Sequence, residues 1–164
     1  MKRYAIYPGS FDPFTKGHLN IIDRGIRIFD GMIVAVAHNV SKKTTFTLKE
    51  RVEILREIFR NRPEVKVDCF EGLLVDYARK VGTNIVLRGM RTVSDFESEL
   101  QMALANKTLY GDLETVFMVT DSSYSHISSS LIKEIITLNG SVKQMVPEIV
   151  EKKLRKKLQQ KQEI

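Results

Sequence analysis

The chain has 164 residues, 43% of them hydrophobic and 28% charged, with one cysteine and a formal charge of +6. That length suits one domain with a sizeable core; no apolar run approaches the roughly 18 residues of a membrane span, and Cys69 alone excludes an internal disulfide framework. The N-terminus runs straight into a strand-like pattern with no basic-then-apolar leader, so a soluble, cytoplasmic protein is expected.

Short apolar runs alternate with longer helical patterns. A first strand is expected at Tyr4–Tyr7. It gives way to "YPGSFDPFTKGH", Tyr7 to His18, which holds two of the four prolines, two of the nine glycines and one of the three histidines. "HLNIIDRGIRIF" then places apolar residues at helical spacing. A second strand at Met32–Ala37 leads to a loop with paired lysines, Lys42 and Lys43, in "NVSKKTTF". "TLKERVEILREIF" opens with a capping box, Thr47 with Glu50. A third strand, Val65–Phe70, carries Cys69 as a small packing residue. "GLLVDYARKVG" reads as a helix ending on Gly82. A fourth strand at Ile85–Leu87 runs into "LRGMR". "SDFESELQMALANKTLYG" reads as a helix opening on a second capping box, Ser94 with Glu97. A fifth strand, Thr115–Val119, precedes "SHISSSLIKEIITLNG", with serines at a helix start, and Pro147 begins a last helix at the favoured first position. From Glu151 onward six basic and two acidic residues give +4, so everything before carries only +2. The tail therefore reads as a solvated basic face over Leu154 and Leu158.

Five strand–helix alternations with no repeats and no linker predict a single α/β domain over residues 1–164, with the basic helix from about 147. The expected architecture is a doubly wound, Rossmann-like, five-stranded parallel sheet. In the strand order 3-2-1-4-5 a ligand sits at the carboxyl ends of strands one and four, where the order reverses. "PGSFDP" and "LRGMR", the two most unusual segments, fall at those two ends.

The chain has no Walker A pattern, no G-x-G-x-x-G after a strand, no G-x-S-x-G elbow and no Cys/His metal cluster. What it has suits phosphates. Gly9 permits a close turn, Gly17 removes a side chain at a helix start, and helix N-termini attract anions. His18, in a first helical turn, offers a ring N–H. Arg88 and Arg91 flank Gly89; they read either as bidentate phosphate ligands or as charges paired with Asp95 and Glu99, the second being less plausible for both at once. Lys42 and Lys43 alone are a weak signal. Ser128, Ser129 and Ser130 read as one N-cap plus an oxygen-rich polyphosphate cradle. His38 reads as structural or exposed, His126 as a possible nucleotide contact. Tyr7, Phe11 and Phe14 either pack under the loop or face a ligand.

Taken together, "YPGSFDPFTKGH", "SKK…FTLKER", "LRGMRTVSDFESELQMALANK" and "ISSSLIKE" resemble the phosphopantetheine adenylyltransferases, over nearly the whole chain. The wider superfamily carries an H-x-G-H signature; here its first histidine is Thr15, as is typical of this branch. The resemblance implies transfer of an adenylyl group from ATP to 4′-phosphopantetheine, giving dephospho-CoA and pyrophosphate, with Mg2+ held mainly by the ATP phosphates. It implies His18 as donor to the α-phosphate, Ser10 and Lys42 on the attacking phosphate, and Arg88 and Leu74 on the pantetheine substrate. The ATP site is implied at Ser10, Phe11, His18, Gly89, Met90, Arg91, Glu99, Tyr124, Ser125, His126, Ile127, Ser128, Ser129 and Ser130. A homohexamer and feedback inhibition by coenzyme A are also implied. Ser10 replaces a threonine common in relatives, Ser98 stands where relatives often have an aromatic, and Tyr124 and His126 stand where they often have tryptophan and phenylalanine. Two other readings stand beside it: the same chemistry on another small phosphate acceptor, and a non-catalytic nucleotide- or RNA-binding module. The nearly balanced body charge and the missing RNA-binding signatures count against nucleic acid.

Overall fold

A computed structural model describes residues 3–38 and 43–162. Its elements are β1 (Tyr4–Gly9), α1 (Lys16–Gly25), β2 (Gly31–His38), α2 (Leu48–Ile58), β3 (Val65–Glu71), α3 (Leu74–Val81), β4 (Ile85–Met90), α4 (Val93–Leu109), β5 (Glu114–Val119), a 3-10 turn (Ser122–Tyr124), α5 (Ser129–Thr137) and α6 (Glu148–Gln162). The five strands are parallel, as the alternation predicts, and lie in the expected order β3-β2-β1-β4-β5, so the reversal lies between β1 and β4.

Strand side chains alternate between faces. Ala5, Tyr7, Met32, Val34, Val36 and Leu87 join α1, α2, α5 and α6 in the larger core. Ile6, Ile33, Ala35 and Val86 face the other way, onto Val75, Tyr77 and Ala78 of α3 and onto Leu113. α6 is amphipathic as expected. Val150 and Leu154 are fully buried and Leu158 packs against them. Its basic side chains reach α2, with Lys157 on Glu50 at 2.6 Å and Lys153 on Glu57 at 3.7 Å, so the face is partly paired rather than only solvated.

Local signals hold where the partner is near in sequence. Thr47 and Glu50 form the expected capping box, and Gly82 closes α3 with φ +72°. α4 differs: its N-cap is Thr92, whose hydroxyl accepts the Asp95 N–H, while Ser94 turns its hydroxyl to Thr92. β1 and β4 each extend beyond the apolar run to Gly9 and Met90, because ladder pairing continues through the polar residues. α1 stops at Gly25 and does not continue to Phe29. Pro147 lies just outside α6; its carbonyl accepts the Glu151 N–H, the N-cap pattern. Cys69 is exposed rather than packed: burial along that face of the edge strand β3 falls from Val65 to Val67 to Cys69 as cover runs out. His38 ends β2, half-exposed, 3.7 Å from Glu71.

Candidate active site

The carboxyl ends of β1 and β4 and the N-termini of α1 and α5 enclose a cleft of about 430 Å3. A second hollow of about 260 Å3 adjoins it, sharing Pro8, Gly9, Ser10, Arg88 and Glu99 and adding Leu74 and Met102.

The chain leaves β1 through a tight reversal. Phe11 adopts φ +48°, in the left-handed region where a non-glycine residue is held only by its surroundings. Its ring is buried against Tyr7, Phe14 and His18. A β-carbon on Gly9 would come 2.9 Å from that ring, so Gly9 makes room for Phe11 rather than for a ligand. The three aromatics therefore pack under the loop.

Thr15 caps α1, and His18 is its third residue. The Thr15 hydroxyl accepts the His18 N–H at 3.2 Å, and the Thr15 N–H donates to His18 Nδ1 at 3.0 Å. Burial, with Arg91 and Arg88 nearby, depresses the His18 imidazole to about 3, so the ring is neutral at physiological pH. The Lys16 N–H is taken by the Met145 carbonyl at 2.8 Å. Among the described residues, the Gly17 N–H has no partner, and Gly17 lines the cleft.

Arg88 grips Glu99 bidentately, one bond being 2.6 Å, and also donates to the Pro8 carbonyl. Arg91 holds Asp95 at 3.1 Å and the Ile127 carbonyl at 2.7 Å. Both arginines are thus paired, the arrangement the sequence made less plausible, and both still line the cleft. The pairing fixes each guanidinium while leaving N–H donors unused. Sequence reasoning missed a third cation. Lys133 of α5 lines the cleft 2.6 Å from Asp12, whose carboxylate also accepts the Thr45 and Phe46 N–H groups. Burial pushes the Asp12 carboxyl up, but Lys133 and those two N–H groups outweigh it and hold it below the usual range. Lys133 sits one helical turn after Ser129, a spacing that would have pointed to it.

The serine run is less of an oxygen cradle than expected. The Ser128 hydroxyl caps α5 by accepting the Leu131 N–H, and the Ser129 hydroxyl donates to the Pro13 carbonyl. What faces the cleft is the start of α5, where the Ser129 and Ser130 N–H groups have no partner among the described residues.

The structure brings Ser10, Phe11, His18, Arg88, Gly89, Arg91, Glu99, Ile127, Ser128, Ser129 and Ser130 to the larger cleft and Leu74 to the adjoining one. Four predicted residues do not line either. The Met90 carbonyl accepts the Thr120 N–H, Tyr124 packs on the core, the Ser125 hydroxyl turns to the Ser122 carbonyl, and His126 is exposed. Lys42 lies outside the described residues. Among those residues no group of three His, Cys, Asp or Glu could hold a metal ion. The site has anion donors from two helix starts, three fixed cations and a neutral imidazole, the equipment for stabilising charge on a transferring phosphoryl group.

Comparison with known proteins agrees. A cytidylyltransferase-like family model matches residues 6–135. A phosphopantetheine adenylyltransferase of Dictyoglomus thermophilum is 53% identical over 93% of this chain and 93% of its own. One of Syntrophus aciditrophicus is 50% identical over 96% of this chain and 95% of its own, and one of Carboxydothermus hydrogenoformans is 50% identical over 96% and 97%. The chain belongs to the cytidylyltransferase-like family and, within it, to the phosphopantetheine adenylyltransferases.

Proposed function

We propose that the chain transfers the adenylyl group of ATP to 4′-phosphopantetheine, producing dephospho-CoA and pyrophosphate. The observation that carries this is the placement of His18, a half-buried neutral donor in the first turn of α1, in the cleft that the start of α5 and Arg91 also line. ATP phosphates in the larger cleft would meet the Ser129 and Ser130 N–H groups, Arg91 and Lys133. The acceptor would lie toward the adjoining hollow, its phosphate near Ser10 and Arg88 and its pantetheine arm against Leu74 and Met102.

An oxygen of the acceptor phosphate attacks the α-phosphorus. The bond to the bridging oxygen of the β-phosphate breaks, and pyrophosphate leaves with the electron pair. The acceptor is already an anionic nucleophile, so no protein base is required, and catalysis is positioning plus charge stabilisation. His18 donates to the non-bridging oxygen on which charge grows. Mg2+ would supply further charge neutralisation while bound through the ATP phosphates. The donor set fits an ion that brings its own ligands, since Asp95 and Glu99 are engaged by arginines and Asp12 by Lys133 and two N–H groups.

A homo-oligomer, which we take to be a hexamer, is supported by α4 and β5. Of the 17 residues of α4 only Asn106 is buried, and Val93, Met102, Leu104 and, on β5, Val119 are each more than half exposed. Coenzyme A, which contains the product's pantetheine and nucleotide, would fill both cavities and act as a feedback inhibitor. The need for ATP supports a cytoplasmic location; no described helix is long and apolar enough to cross a membrane.

ATP labelled at the α-phosphate, offered in parallel with 4′-phosphopantetheine, nicotinamide mononucleotide and glycerol 3-phosphate, tests the reading. Label should pass to the first acceptor alone. Equal transfer to either of the others would overturn the substrate, and no transfer to any would overturn the reaction.

A further inference from the structure

His18 cannot swing freely. Its ring is walled by Tyr7, Phe11 and Phe14, at centroid distances of 6.4, 5.2 and 5.5 Å. Within that cage Nδ1 meets two groups of one residue: the Thr15 backbone N–H at 3.0 Å and the Thr15 hydroxyl at 3.1 Å. The backbone N–H can only donate, so Nδ1 must present its lone pair. The hydroxyl already accepts the His18 backbone N–H, which leaves its own proton free to point at Nδ1 as well. A neutral imidazole with Nδ1 occupied in this way carries its proton on Nε2, the nitrogen with no partner among the described residues.

We propose that Thr15 is the positioning residue of this site: its capping-box contacts hold His18 in the Nε2–H tautomer, so that the one ring donor faces the cleft. The consequence for rate rests on the adenylyl-transfer reading; the tautomer is a property of the free protein. Thr15 occupies the place of the first histidine of the superfamily signature, and here that place holds a helix cap. Without the two contacts either ring nitrogen could hold the proton. A share of molecules would then turn a lone pair toward the phosphate and repel it. The charged and titratable groups facing the ring are Arg88, Arg91 and Tyr7. Burial raises the Tyr7 phenol, so it stays neutral. Both arginines are cations and disfavour an imidazolium, which leaves tautomer choice, not charge, as the variable Thr15 controls.

The test is a nitrogen-15 spectrum of the histidine-labelled protein without substrates, with His18 assigned by its absence from His18→Gln. The wild type should show Nδ1 unprotonated and Nε2 protonated, unchanged between pH 6 and 8 (about two units around the ordinary histidine value). Thr15→Val removes the hydroxyl contact and, with it, the cap that holds the Thr15 backbone N–H against Nδ1; it should shift the signal part of the way toward a tautomer mixture and lower kcat about five- to tenfold, with the KM for ATP changed less than about twofold. Thr15→Ser should restore both. A wild-type His18 with protonated Nδ1, or one that titrates in that range, would overturn the proposal. So would a Thr15→Val protein with wild-type signature and wild-type kcat. The wild-type spectrum and its His18→Gln assignment need no Thr15 variant, so a Thr15→Val protein that fails to fold leaves the test standing. It needs no substrate either, so failure of the reaction would appear in the product assay alone.

Discussion

Asp12 and Lys133 are 121 residues apart in the chain and meet at 2.6 Å at the edge of the cleft. One buried carboxylate thereby joins three segments: the loop after β1, the turn at Thr45 and Phe46, and α5. Beside it the buried Arg51 donates to the carbonyls of Ser10 and Ala37, at the ends of β1 and β2.

Asp12→Asn keeps the volume and removes the charge. It should cost about 2 kcal/mol of stability, the range for hydrogen bonds to a charged group, and urea unfolding measures it. A variant as stable as the wild type would mean that the carboxylate does not hold the segments together.

Arg88 lines both cavities, whereas Arg91 lines only the larger. Arg88→Ala should weaken 4′-phosphopantetheine at least about tenfold with little change for ATP, and Arg91→Ala should do the reverse, since each loses charge-assisted bonds to one ligand. Calorimetric titration of both ligands into both variants decides it. Matching losses for the two ligands would sink the division.

The parts of this fold legible in the sequence are those set by neighbours. The Thr47–Glu50 box, the Gly82 stop and the strand alternation are local patterns, and the alternation implies a doubly wound parallel sheet, of which 3-2-1-4-5 is one common order. The convergence of "PGSFDP" and "LRGMR" was legible for the same reason. Other features depend on contacts that no short window contains. The Asp12–Lys133 pair spans two ends of the chain. The Ser129 hydroxyl is claimed by Pro13, 116 residues away. The Phe11 ring over Gly9 follows from a left-handed backbone that aromatic residues rarely adopt. At α4 two hydroxyl–carboxylate spacings compete, Thr92 with Asp95 and Ser94 with Glu97, and pattern alone does not choose between them.

His18 also predicts a pH dependence of stability. Its folded-state value is near 3 against an ordinary 6.5, so below 6.5 the unfolded chain takes up a proton that the folded chain refuses. The stabilisation from keeping the ring neutral is complete above about 6.5 and is lost as pH falls toward 3. Wild type should lose stability more steeply than His18→Gln between pH 6.5 and 4.5, by up to about 1.4 kcal/mol per pH unit for one proton. Parallel profiles from denaturant melts would show that the ring is free to charge.

The central claim is that His18 acts on the transition state, and the most direct measurement is kcat beside ATP affinity in His18→Ala. Charge on the α-phosphate oxygens is greater in the transition state than in bound ATP, so a donor aimed there lowers the barrier more than it tightens binding. The expected result is a fall in kcat on the order of 10²–10³, with ATP affinity within about threefold of wild type and only the modest stability loss of a broken capping box. A variant that loses ATP affinity in proportion to its rate, or one that keeps a near-normal kcat, would contradict the account.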